Sequence, residues 1–171
     1  MALVLEHLAA TGRRRPCFVG AHGSASAAAE RRAAYAAGAG ALDAAAPERT
    51  ALGDFSVGWG RAAVDALWEA RPDAVVCAND LIAIGVLQRL QELGADVPGE
   101  VAVTGFDDIP MAGLTAPGIT TVRQPVAELA AEATRLLAHR LGADGAGPQR
   151  ALRLAPDLVV RGSSAAPHVR A

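Results

Sequence analysis

The sequence predicts an α/β protein built on a doubly wound, mainly parallel sheet flanked by helices. Short runs of consecutive apolar residues alternate with segments whose apolar side chains recur at helical spacing. The runs lack the apolar–polar alternation of a half-exposed strand, so they read as strands buried on both faces, as in a parallel sheet. The connections are short, which suits βαβ units with right-handed crossovers that lay helices on both faces.

In chain order, residues 2–10 read as a helix stopped by Thr11-Gly12, and residues 15–20 as a strand centred on Cys17-Phe18-Val19. Ser24 is placed to cap a helix running through the alanine-rich stretch to about Leu42. A brief extended segment follows at residues 51–54. Ser56 then caps a helix over residues 57–70, closed by Arg71-Pro72. Residues 73–78 make the next strand and residues 80–93 a helix ended by Gly94. The Val97-Pro98-Gly99 turn leads into a strand at residues 101–104. Residues 109–124, with Pro110, Pro117 and two glycines, suit an irregular connection holding a short strand near residues 120–122. A helix over residues 126–141, a Gly-rich turn at residues 142–148 and two short strands at residues 152–154 and 158–161 complete the chain. Residues 162–171 are expected to fray.

The 171 residues fit one domain, 51% hydrophobic and 20% charged, with a formal net charge of −2 and a pI near 6.1. All 16 basic residues are arginine. Without lysine there is no Schiff base, Walker-type phosphate contact or carbamylated metal ligand. Cys17 and Cys77 each sit in an apolar run and read as buried thiols, too few for a zinc module or a disulfide framework. No run approaches the roughly 18 apolar residues of a membrane span. Glu6 interrupts an opening segment that has no basic start, so neither a signal peptide nor a membrane partner is expected, and the protein is placed in the cytoplasm. The net charge argues against this chain gripping nucleic acid by itself. Arg13-Arg14-Arg15, its one basic run, reads as a solvated loop.

Ligands of doubly wound sheets bind beyond the carboxyl ends of the strands. The polar residues there are Asn79 and Asp80, Asp107 and Asp108, with Asp54 and Phe55 after the short extended segment. An amide, a carboxylate and an aromatic ring suit a polyhydroxyl or heterocyclic small molecule. Each has a plainer alternative. Asp80 reads as the helix N-cap rather than a contact, and Asn79 as a contact rather than a cap. Phe55 fits core as well as cleft, and either Asp107 or Asp108 could only brace a turn. Enzyme signatures are absent: no G-x-G-x-x-G follows a strand, no G-x-S-x-G occurs, and the four histidines form no i, i+4 pair. Magnesium on Asp107 and Asp108, as in a phosphatase or phosphoacceptor domain, is the remaining enzymatic alternative. It lacks a lysine to support phosphate.

Five ordered segments narrow the reading. Residues 72–85, from Pro72-Asp73 through Asn79-Asp80 to Gly85, resemble the "pdAvfaaND..A.G" segment of lac-repressor (LacI/GalR) family transcription regulators. Residues 97–108 are similar to the family's "vPeDvaVvGfDd", residues 119–125 to its "lTTvrqp", and Leu158 to Ser163 to its closing "LvvRgS". His7-Leu8 with Gly12-Arg13-Arg14 resembles its "hL...Ghrri".

The resemblance implies a periplasmic-binding-protein-like fold, no enzyme activity and no cofactor. It also implies a sugar or nucleoside-like effector. The implied contacts are Arg31, from the "eR..Gy" segment in which Ala34 replaces the usual glycine, together with Phe55, Asn79, Asp107 and Gln124. It further implies a homodimer whose interface includes Leu81 and Ile84 of the helix after Asn79-Asp80. That helix also carries Ile82 and Val86, more apolar surface than one core-facing stripe requires. The chain is expected to hold residues 1–161 as one effector-binding and dimerisation subdomain, one jaw of a two-jaw clamp, with residues 120–148 crossing toward the other jaw. DNA would be reached only through a helix-turn-helix headpiece that these residues do not include. A solute-binding protein of a sugar transporter, sharing the clamp fold, is the alternative function.

Overall fold

The structure, a computed structural model, describes residues 1–23, 27–42, 49–141 and 151–165. Its elements run α1 (Ala2–Ala10), β1 (Pro16–Ala21), α2 (Ala27–Ala39), β2 (Thr50–Gly53), α3 (Val57–Leu67), β3 (Ala74–Cys77) and α4 (Asp80–Glu92). They continue with β4 (Ala102–Phe106), α5 (Pro110–Leu114), β5 (Thr120–Arg123), α6 (Val126–Leu141) and β6 (Asp157–Val159). The strands form one sheet in the order β2-β1-β3-β4-β5-β6. All ladders are parallel except β5–β6, which is antiparallel and pairs Thr121 with Val159.

Alternation along β1 shows how the two layers are built. Phe18 points toward α2, where its ring stacks on Tyr35 with centroids 5.0 Å apart. Cys17 and Val19 point the other way and meet Val64 and Leu67 of α3 and Leu90 of α4. Phe18, Val19, Val76, Ile82 and Leu90 are completely buried. Each such side chain stabilises the fold by about 1.5–3 kcal/mol. Burial pushes the Cys17 thiol up to about 12 and also raises the Tyr35 phenol, whose hydroxyl donates to the Pro16 carbonyl at 2.9 Å. Both cysteines are buried and free, as an inert structural thiol should be.

α3 and α4 approach closely because each presents a glycine. A Cβ at Gly60 would lie 2.1 Å from the Ile82 carbonyl oxygen, and one at Gly85 would lie 2.0 Å from that of Val57. This packing accounts for most of the apolar surplus of α4. Ile82, Ile84 and Val86 are buried within the chain and Leu81 is half-buried, so the apolar surplus is consumed by α3 and the sheet. Ile84, 8% exposed, offers little surface to a second copy. α6 is the opposite case: none of its residues is buried, and Val126, Leu129, Leu137 and Leu141 are exposed.

Other expectations change locally. Residues 68–70 continue α3 as a 3-10 turn, and α5 occupies part of the expected irregular stretch. Residues 152–154 form no strand, since no neighbour among the described residues pairs with them and Leu152 is exposed. Residues 162–165 do not fray: Ser163 and Ser164 are buried, and Ser163 acts as a ladder residue between β4 and β5. Its carbonyl accepts from the Val103 N–H at 2.9 Å, while its hydroxyl donates to the Val103 carbonyl at 2.5 Å and accepts from the Thr120 N–H at 2.9 Å. The arginine run is anchored rather than merely solvated. Arg13 donates to the carbonyls of Pro98, Gly99 and Glu100, and the N–H groups of Arg14 and Arg15 donate to the Asp73 carboxylate. The expected Ser24 cap, the turn at residues 142–148 and the tail from residue 166 lie outside the described residues.

Candidate effector site

The strand order reverses between β1 and β3, and an open α/β sheet forms its crevice at such a switch point, beyond the strand ends. The β3 end supplies Ala78 and Asn79, β4 ends on Phe106 and leads into Asp107, and α2 supplies Arg31. The Arg31 guanidinium lies 3.9 Å above the Phe106 ring centroid. One terminal nitrogen donates to the Ala78 carbonyl at 2.7 Å and the other to Asp107 Oδ1 at 3.0 Å. Gln124, just past β5, donates to the same oxygen at 2.8 Å. Arg31, Asp107 and Gln124 are thus joined directly, while Asp107 Oδ2 has no hydrogen-bond partner among the described residues. Phe55, following β2, is 39% exposed and so is not core. Its ring stands open at the far edge of the same end of the sheet, unlinked to the Arg31 cluster.

Asn79, rather than the expected Asp80, caps the helix. Asn79 is the N-cap of α4, its Oδ1 accepting from the Ile82 N–H at 2.9 Å, which leaves its amide N–H groups available. Asp80 is instead turned inward. Its oxygens accept from the Thr121 hydroxyl at 2.6 Å and the Ile109 N–H at 2.8 Å, and Gly105 makes room for it: a Cβ there would lie 2.1 Å from Asp80 Oδ1. Burial raises the Asp80 carboxyl above the usual range, the nearby Asp107 and Asp108 charges adding to the effect and the two hydrogen bonds offsetting part of it.

Asp107 and Asp108 both have positive φ, 105° and 54°, a region L-residues rarely occupy and which costs on the order of 1–3 kcal/mol per residue. The two carboxylates diverge. Asp107 faces Arg31 and Gln124, whereas Asp108 is held by Arg123 Nε and Arg161 Nη2, each at 2.6 Å. Burial alone would raise the Asp108 carboxyl, but hydrogen bonds from Arg161 and Arg123 outweigh it and hold the group below the usual carboxylate range. Carboxylates split between separate arginine partners are poorly arranged to share a magnesium ion. Among the described residues no cluster of three metal-ligating side chains occurs. Phe106 and Arg161 are the site residues that sequence reasoning left without a role, and Asp80 is the one whose role it misassigned. Phe106 was signalled by its place directly before Asp107, and Arg161 by its place in the closing segment.

A sheet of this order with its polar cluster at the switch point fits a periplasmic-binding-protein-like domain. Residues 5–164 match the family model of the periplasmic binding protein-like domain, and the chain belongs to that family. It is 42% identical over 111 residues to the HTH-type transcriptional regulator MalR of Streptomyces coelicolor, covering 65% of this chain and 32% of that protein. It is 40% identical over 114 residues to the ribose operon repressor of Escherichia coli, covering 66% of this chain and 34% of the repressor. The chain thus spans about a third of the length of these curated relatives. A solved sugar-binding transcriptional regulator of the LacI family from Escherichia coli, complexed with phosphate, superposes with a TM-score of 0.86 at 31% identity. The match covers 97% of this chain and 60% of the other. No helix among the described residues is long and apolar enough to cross a membrane.

Proposed function

We propose that this chain is the effector-sensing part of a LacI-family DNA-binding transcription regulator, that its effector is a sugar or nucleoside-like molecule, and that it catalyses no reaction. The observation carrying this reading is the Asp107 carboxylate, with Oδ1 fixed by Arg31 and Gln124 and Oδ2 unengaged. A hydroxyl donating to Oδ2 can accept from an unused N–H of Arg31 or Asn79, and the exposed Phe55 ring offers an apolar face for a sugar or base. Such a ligand shifts the orientation of two jaws only by as much as it favours one arrangement over the other. Operator contact falls to a headpiece outside these residues, and the setting is the cytoplasm. A second copy completes the reading; with Ile84 consumed internally, the half-buried Leu81 and the exposed Met111 and Leu114 of α5 are among the apolar side chains offered to it.

Water reaches this cleft, since the Asp107 side chain is 31% exposed. Exposed hydrogen bonds then contribute about 0.5–1.5 kcal/mol each. Calorimetry of the 171-residue chain with D-ribose, D-glucose, maltose and adenosine should show binding to at least one, no tighter than about 100 μM. Asp107→Ala should abolish it with the thermal midpoint held. Silence from all four, or a response indifferent to the substitution, sinks the reading.

A further inference from the structure

The turn after β4 sets Asp107 and Asp108 side by side with φ of 105° and 54°. Its backbone N–H groups are tied to neighbours: Asp107 N donates to the Val122 carbonyl at 2.9 Å, Asp108 N to the Thr121 hydroxyl at 3.3 Å and Ile109 N to Asp80. Hydrogen bonds of this kind alone leave the aim of the Asp107 side chain to a conformation that L-residues disfavour.

Asp108 supplies the further constraint. Its side chain is 9% exposed, and each oxygen meets a guanidinium. The two arginines are unequal. Arg123 is 55% exposed, whereas Arg161 is 24% exposed and fixed along its whole length. The Arg161 N–H donates to Thr120 Oγ1 at 2.8 Å, its carbonyl accepts from that hydroxyl at 3.0 Å, and Nη1 donates to the Ile119 carbonyl at 2.8 Å. Its stem crosses Gly118, where a Cβ would come within 3.1 Å of Arg161 Cδ. The segment carrying it is pinned by the buried Ser163, and by Ser164, whose hydroxyl meets Thr120 Oγ1 at 2.7 Å and His7 Nε2 at 2.8 Å.

We propose that Arg161 is a positioning residue: by clamping Asp108 it holds the strained turn that aims Asp107 into the cleft, so effector recognition depends on a residue of the C-terminal segment. This rests on the reading of Asp107 as an effector contact. Arg161 serves this task through its planar fork, which reaches Asp108 and Ile119 together; a lysine cannot.

The test measures amide hydrogen exchange by NMR on the full 171-residue chain, alongside titration with the same four compounds. Arg161→Gln and, separately, Asp108→Asn should speed exchange at Asp107 and Asp108 by about tenfold or more while Val19 and Val76 change less than about twofold. Arg123→Gln should leave the turn nearly unaltered, and Arg161→Lys should restore part of its protection. Asp107→Ala should abolish binding yet keep Asp108 and Ile109 protected. Unchanged protection in Arg161→Gln, or equal acceleration across the sheet, overturns the clamp. An absence of binding in the wild-type chain overturns the effector reading instead, and the exchange data still decide on the clamp.

Discussion

Arg31 lies over Phe106, its guanidinium carbon 3.9 Å from the ring centroid, while reaching both the Ala78 carbonyl and the Asp107 carboxylate. The ring supports the guanidinium from one side while the two hydrogen bonds hold its terminal nitrogens. Phe106→Leu keeps the half-buried apolar contact but removes the π face, worth about 0.5–2 kcal/mol in a partly desolvated setting. Calorimetry with the bound compound should show affinity weakened by about 3- to 30-fold at an unchanged fold. Unaltered affinity would show that Arg31 does not depend on the ring.

Thr104 on β4 is fully buried, and its Oγ1 is the buried side-chain polar atom left without a partner among the described residues. An unsatisfied buried hydroxyl costs about 1–3 kcal/mol. Thr104→Val should therefore stabilise the chain by about 1 kcal/mol in urea unfolding. A loss of stability would mean the hydroxyl is satisfied in solution.

Gly60 and Gly85 let two helix backbones touch. Because the atoms that an added Cβ would meet at Gly60 are the backbone carbonyl and Cα of Ile82, no side-chain rotation relieves the overlap. Gly60→Ala should cost about 2–3 kcal/mol in the same unfolding measurement, at the upper end for overpacking. A cost below that of a typical surface change would show that α3 moves freely over α4.

The two perturbed carboxylates oppose each other with pH. Asp108 has a depressed folded-state pKa, so its contribution is present above the unfolded carboxylate range and is lost as pH falls through its lowered folded value. Asp80 has a raised folded-state pKa, so its contribution is fully present below the unfolded range and is lost as pH rises through its raised folded value. The stability gap between wild type and Asp108→Asn should accordingly shrink on moving from about pH 7 to about pH 3, with urea midpoints as the check. A gap independent of pH would mean the ion pairs with Arg123 and Arg161 do not form in solution.

How much of this was legible beforehand varies with the physics of each element. β1 and β3 stood out because strands covered on both faces need unbroken apolar runs. α6 matched residues 126–141 at both ends, its stripe being clear even though none of its residues is buried. α5 stayed hidden as five residues beginning with proline and containing glycine, too short to show a period. Asn79 and Asp80 are both good caps by type. What chose between them was tertiary: the bare Gly105 backbone admits the Asp80 carboxylate, which Thr121 and Ile109 then bond. The surplus apolar side chains of α4 misled because sequence spacing does not reveal that a glycine on each of two helices lets one helix be covered on both flanks. The ends of the strands pointed to Asn79, Asp107 and Phe55 unaided, whereas Arg31 and Gln124 entered through the family resemblance. Their meeting at one carboxylate oxygen is a property of the folded chain alone.

Ser163 sets a schedule for the chain's birth. The ladder between β4 and β5 is finished by a residue 60 positions beyond Val103 and 43 beyond Thr120, so the bonds Ser163 makes wait until residue 163 has been synthesised. Long-range closures of this kind are slow and come late. β1, β3 and α4 can assemble while the chain is still emerging, but the β4–β5 seam stays unsealed. Arg161 arrives with the same stretch, so a nascent chain has its sheet before it has a fixed Asp107, and a chain cut short before residue 161 carries the cleft's walls without the brace that aims its carboxylate.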